Sequence, residues 1–196
     1  MNVLTNEFPE AIKVGDQILN VDFDCRNCIR IILAWEDEAL TEQEKAYITL
    51  NRLYEDDIEN IENIDLALEK ALKFLNCGEE SDEASTKPKK RVYSFDKDSK
   101  FIYTAIDSVL DGRLSEGKTI HWWLFCMAFM EIPEDCMLSK IINLRTKKNK
   151  GKLSKDELRI YKDMIDILEL EVDKESIMSD EELKNMEEFK KALGVK

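Results

Sequence analysis

The sequence is poor in residues that break or cross-link a chain, with six Gly, three Pro, one His and five Cys among 196 residues. It also lacks a long apolar run. The charge-free stretch at its apolar centre, TIHWWLFCMAFM at 119–130, falls well short of the roughly 20 residues that span a bilayer, so no transmembrane helix is expected. Glu7 and Glu10 stand where a secretory leader would be basic and then apolar, which makes the cytosol the expected address. An odd number of cysteines at that address reads as reduced thiols rather than a disulfide framework. With one histidine, a Ser-His-Asp or Cys-His site has His121 as its sole possible base, and its place beside Trp122 and Trp123 reads instead as a packed or capping imidazole. A Walker loop, GxGxxG, HExxH and an EF-hand loop are all missing, so no enzyme class has support and no cofactor is expected.

What is present points to a folded interaction protein. A hydrophobic fraction of 43%, with eight Phe, five Tyr and three Trp, excludes disorder even at 36% charged residues. The formal charge is −13, from 42 acids against 29 bases. It is laid out unevenly: residues 36–83 hold sixteen acids and four bases, whereas 136–155 hold seven bases and no acid. Solvated faces explain such segregation, and so does contact with an oppositely charged partner or a second copy. The RTKKNKGK stretch at 145–152 could touch phosphates without reading bases, but the net charge opposes it, and no specific nucleic acid is expected.

Scarce Gly and Pro act as punctuation. AIKV and QILNVD flank Gly15-Asp16, the pattern of a β-hairpin. Asp24 then reads as an N-cap, with Cys25, Cys28, Ile32 and Trp35 on one helical stripe. Thr41 and Glu44 form a capping box for a helix carrying Ala46, Leu50 and Leu53. A third helix from about Asp65 places Leu68, Ala71, Leu72 and Leu75 on one face and ends at Gly78 as its cap. Phe101, Ile102, Ala105, Ile106 and Val109 mark a fourth, ending at Asp111-Gly112. Thr119 reads as the N-cap of IHWWLFCMAFM, a helix apolar on nearly every side that must be buried or lie against a partner. Pro133 fits the first position of the next helix, with the stripe Met137, Leu138, Ile141 and Ile142. Ser154 and Glu157 box a helix with Leu158, Tyr161, Ile165 and Leu168, and a last helix follows Ser179 with Leu183, Met186 and Leu193. The predicted fold is mainly α: a helical domain with a small N-terminal hairpin and a C-terminal helical extension. Its expected parts are a hairpin-plus-helix region at 1–78, a flexible charged tether at 79–91, a central helical unit at 92–170 and the extension at 171–196.

Cys25 and Cys28 form a CxxC, and Cys77, Cys126, Cys136 and His121 could complete a zinc shell on paper. A second paired knuckle is missing, both thiols already occupy the core stripe, and the βαβ context of a redox CxxC is absent. Core packing without metal is the expectation.

YSFDKDSKFIYTAI at 93–106, followed by IHWWLFCMAFMEIPEDCMLSKIINLR at 120–145, resembles the signature of the bacteriophage gene-product-fifteen family. The matching positions are Ser94 and Phe95, Asp98, Ile102 and Tyr103, His121 to Trp123, Phe125, Pro133 to Asp135, and Arg145. The opening FPEAIKVGDQILNVDFD and the FLNCGEE segment are similar too, so the likeness runs over roughly residues 8–165. It implies a tail-module protein of phages and prophages of Gram-positive hosts. It brings no catalytic, cofactor or metal residues, and makes Phe95, Tyr103, His121, Trp122, Trp123, Phe125 and Arg145 core or partner-face positions. Genes of this family commonly precede the one for the tape measure protein, which implies an assembly chaperone for that protein; the alternative is a structural or adaptor subunit of the finished tail. Apolar helix faces flanking the tether predict self-association as well.

Overall fold

The computed structural model describes residues 2–79 and 90–170. Eight α-helices and one two-stranded antiparallel sheet are found among the described residues, so the fold is mainly α with an N-terminal hairpin. The chain divides into two compact units, 1–140 and 141–196. Residues 80–89 of the expected tether and the whole extension at 171–196, with its helix after Ser179, lie outside the described residues.

In the first unit, β1 (Ala11–Val14) pairs with β2 (Gln17–Asn20) in the register Ala11↔Asn20 to Val14↔Gln17. Gly15 turns the chain at φ 61°, left-handed backbone that a residue without Cβ adopts freely. The strand ends two residues short of QILNVD; Val21 N still donates to the Glu10 carbonyl at 3.0 Å, and Val21 bridges Tyr54 as well. Helix α1 (Cys25–Glu36) is capped by Asp24, whose carboxylate accepts from Arg26 N at 2.8 Å, and buries Cys25, Cys28 and Ile31. Helix α2 (Glu42–Leu53) carries the full Thr41/Glu44 capping box. Helix α3 (Ile64–Leu75) is capped by Asn63. Its buried face holds Ala67, Ala71 and Phe74, while Leu72 is exposed, so the helix is rotated from the face that the leucines suggest.

Helix α4 (Ser99–Val109) buries Ile102, Ala105 and Ile106 as its spacing predicts. Helix α5 (Trp122–Met130) starts later than expected, since His121 and not Thr119 is its N-cap. Helix α1 packs on α2 and α5, α2 on α3, α3 on β1, and α4 on α5. Helix α6 (Met137–Asn149) also starts later than Pro133 suggests. Cys136 N donates to the Pro133 carbonyl, closing a turn, and Ser139 Oγ ties the same carbonyl at 2.8 Å, so the helix begins only beyond it. The division between the units falls within α6, after Lys140.

The second unit contains the rest of α6, α7 (Lys155–Asp163) and the single turn α8 (Ile165–Leu168). The Ser154/Glu157 capping box is formed, but the expected single helix breaks at Met164, and Leu158 is exposed. Arg145 is 3% exposed and donates from Nε to the Leu168 carbonyl at 2.7 Å and from Nη2 to that of Ile167 at 2.8 Å, closing the C-terminal carbonyls of α8. Lys147 pairs with Glu157, and Lys148 with Glu169 while lying 5.0 Å from the Tyr161 ring centre. Arg145, Lys147 and Lys148 of the basic run are therefore engaged within this unit, while Lys150, Lys152 and Lys155 are exposed.

Candidate functional site: an aromatic clamp and groove

The HWW triad opens α5 and gives each of its three rings a partner elsewhere in the first unit. His121 Nδ1 accepts from Trp123 N at 3.0 Å, which makes it the cap and fixes the neutral tautomer with hydrogen on Nε2. Nε2 then donates to the Pro9 carbonyl at 3.1 Å. The imidazole lies between the rings of Phe8 and Phe23, with centroids at 4.8 and 5.0 Å. Burial pushes its pKa below the usual histidine value, against the opposing pull of the Pro9 carbonyl and Glu10. Backbone bonds from Cys25 N to Ile120 O and from Trp122 N to Phe23 O, each 2.8 Å, tie the two helix starts together.

Both tryptophans close the end of α3. Trp122 Nε1 donates to Leu75 O at 2.8 Å, and Trp123 Nε1 to Phe74 O at 2.9 Å. These are carbonyls that a helix C-terminus leaves without intrahelical partners. The chain leaves α3 through a Schellman turn, with Gly78 N on Lys73 O and Cys77 N on Phe74 O. The left-handed residue after the cap is Cys77, at φ 54°, and Gly78 follows at φ 82°. A Cβ on Gly78 would meet Trp123 Cη2 at 3.0 Å, so the glycine is needed there for close approach as well as for its backbone.

Beyond the clamp, α5 lines an open groove of about 650 Å³. Its aromatic wall is Tyr93, Phe95, Trp122, Phe125 and Phe129, with Phe95 in contact with the other four rings at centroid distances of 5.6 to 6.5 Å. Met130 stands at the rim, 76% exposed, and the Arg91–Glu36 ion pair at 3.2 Å lies among the lining residues. Cys77 and Cys126 line the same groove.

Of the seven motif positions, Phe95, His121, Trp122, Trp123 and Phe125 thus come together in one aromatic cluster. Tyr103 is 46% exposed on α4, and Arg145 is buried in the second unit. Asp98, another position of the signature, is fully buried, and its carboxylate accepts from Ser94 N at 2.9 Å. Cys25 and Cys28 sit in the core, their thiol pKa values pushed up chiefly by burial, to about 11 for Cys25. Among the described residues, no group of three or more His, Cys, Asp or Glu is placed to hold a metal ion, and no helix is long and apolar enough to cross a membrane. Cys77 and Cys126, 49 positions apart in the sequence, come to line one groove through the docking of α3 onto the tryptophans.

The fold defines a small helical protein whose signature residues build an aromatic clamp beside an open groove. The chain belongs to the bacteriophage family described as Bacteriophage Gp15 protein, which it matches over residues 4–170. No curated protein and no solved structure matches it.

Proposed function

We propose that this phage protein is a tail-assembly chaperone that binds the tape measure protein in the cytoplasm of the bacterial host while the tail is built. The observation that carries this reading is the groove on α5: about 650 Å³, walled by aromatic rings and rimmed by an exposed methionine. Its size falls in the range of roughly 300–1,000 Å³ of clefts that bury a ligand. A row of apolar side chains from an amphipathic helix suits such a wall, because helix-in-groove recognition needs a concave apolar surface on one side and a periodic stripe on the other. A long helical tape would expose such stripes to water before the tail protein encloses it. Bound copies would cover them, and a charge of −13 per chain would keep the complex in solution. Lining up along one tape would bring copies of the chain together.

The test is expression of the tape measure protein alone and together with this chain, comparing its soluble fraction. A soluble, co-purifying complex is expected, and it should weaken when Phe129→Glu places a charge in the groove. Unchanged aggregation with no complex would refute the proposal.

A further inference from the structure

We propose that copies of this chain join head to tail, the basic face of α7 in one copy seating Leu158 in an acid-rimmed hollow on α2 of the next. On α7, Lys155, Leu158, Arg159 and Lys162 stand at positions i, i+3, i+4 and i+7, so they share one face. All four are exposed, Leu158 by 45%. A lone exposed leucine is ordinary on a protein surface. What singles this one out is the set of three cations around it. Lys155 lies in the first turn of its helix, where the macrodipole disfavours a cation, so helix stability does not account for it. Among the described residues, Lys155 and Lys162 make no ion pair, and Arg159 reaches only Asp156, at 3.8 Å with both side chains more than four-fifths exposed.

The first unit carries the complement. The start of α2 and the loop before it leave an open hollow of about 480 Å³, with Leu40, Tyr47 and Ile48 as its apolar lining and Glu44 beside them. Tyr47 is 61% exposed there. Residues 37–44 hold four acids, Asp37, Glu38, Glu42 and Glu44, and no base, and all four are exposed. The backbone N–H and hydroxyl of Thr41 both donate to the Glu44 carboxylate at 2.8 Å, which fixes its position and holds its pKa below the usual carboxylate value. Lys45 offsets one of these charges, at 3.3 Å from Glu42. The hollow therefore suits an apolar side chain flanked by cations, and the α7 face of a second copy offers that combination.

The two faces are different surfaces of one chain, so the contact is heterologous: a joined pair keeps one free α7 face and one free hollow, and further copies can add. Charge pairs at an exposed rim are individually weak and screened by salt. They steer the encounter and set its register, while Leu158 leaves water. Single contacts are then weak in solution and strengthen where several copies are held close together, as on a shared partner. Neither face belongs to the groove on α5, so the contact is independent of what fills that groove.

The experiment follows the full chain by sedimentation velocity. The wild type should sediment faster as its concentration rises at about 0.01 M salt, and this growth should fade at about 0.15 M, where the screening length drops from about 30 to about 8 Å. Lys155→Glu with Lys162→Glu should remain monomeric alone, and so should Glu38→Lys with Glu42→Lys. Mixing the two variants restores opposite charges across every contact and should restore growth. A second measurement needs no substitution: light and heavy-isotope wild-type chains are mixed and treated with a carbodiimide that joins neighbouring amines and carboxylates. Linked peptides should pair Lys155 or Lys162 of one isotope with residues 37–44 of the other. A wild type that stays monomeric at low salt, variants that associate like the wild type, a mixture without rescue, or links confined to one isotope would overturn the proposal.

Discussion

Trp123→Ala removes a ring of the clamp that contacts three others. The side chain is buried, contacts the rings of Phe8, Phe74 and His121, and donates to the Phe74 carbonyl. Deleting a buried Trp or Phe side chain down to Ala costs about 3 to 5 kcal/mol from lost transfer and the cavity left behind. The lost indole hydrogen bond is already within that figure, since its net worth is about 1 kcal/mol and the Phe74 carbonyl keeps the Cys77 N donor. Trp123→Phe separates the two contributions, keeping most of the ring while losing the indole donor, and is expected to cost nearer 1 to 2 kcal/mol. Gly78→Ala attacks the same contact from the other side: the added Cβ meets Trp123 at 3.0 Å and the backbone stands at φ 82°, so a loss of about 1 to 2 kcal/mol follows from the backbone alone. Urea denaturation followed by far-UV circular dichroism gives all three values from the midpoint shift at constant slope. A wild-type midpoint for Trp123→Ala, and equally for Trp122→Ala, together with loss of partner binding would refute the clamp and make the tryptophans a binding surface.

Two further outcomes follow from buried polar groups. His121 has a folded pKa below its unfolded value of about 6.5, so the unfolded chain binds the proton more readily and stability is complete above that pH and declines as the pH falls below it. His121→Asn, which keeps a capping acceptor, should lack this component; equal losses for both proteins between pH 7 and pH 5 in urea titrations would contradict it. Arg145→Met takes the guanidinium donors away from the carbonyls of Ile167 and Leu168. It should destabilise by about 1.5 to 3 kcal/mol, the worth of hydrogen bonds made by a charged group to buried carbonyls. A shift under about 0.5 kcal/mol by calorimetry, the range of surface substitutions, would show the guanidinium to be dispensable.

Features set by neighbours in the chain are legible in the sequence. Asp24, the Thr41/Glu44 box and the Ser154/Glu157 box cap helices where their three-residue spacing places them, and Gly15-Asp16 turns the hairpin. Features set by distant segments are not. Thr119 is the commoner cap residue, but the Pro9 carbonyl and two phenylalanine rings hold His121 in that role. Leucine spacing suggests one face for α3, and the tryptophans select another because Phe74 must reach Trp123. The break at Met164 interrupts a stripe that is continuous in the sequence, and Arg145 follows that break by capping the short turn beyond it. Of the site, the aromatic motif is legible through its resemblance to the signature of the phage family. The groove is not, because it takes Tyr93 and Phe95 from before α4, Leu75 and Cys77 from the end of α3, and Phe125 to Met130 from α5.

The most direct test of the proposed chaperone role is quantitative mass spectrometry of material taken from one infection at two stages. Tape measure complexes isolated while tails are under construction should contain multiple copies of this chain, and purified finished particles should contain none. Stoichiometric presence in finished particles, without enrichment on the earlier complexes, would contradict the chaperone role and make the protein a structural subunit of the tail.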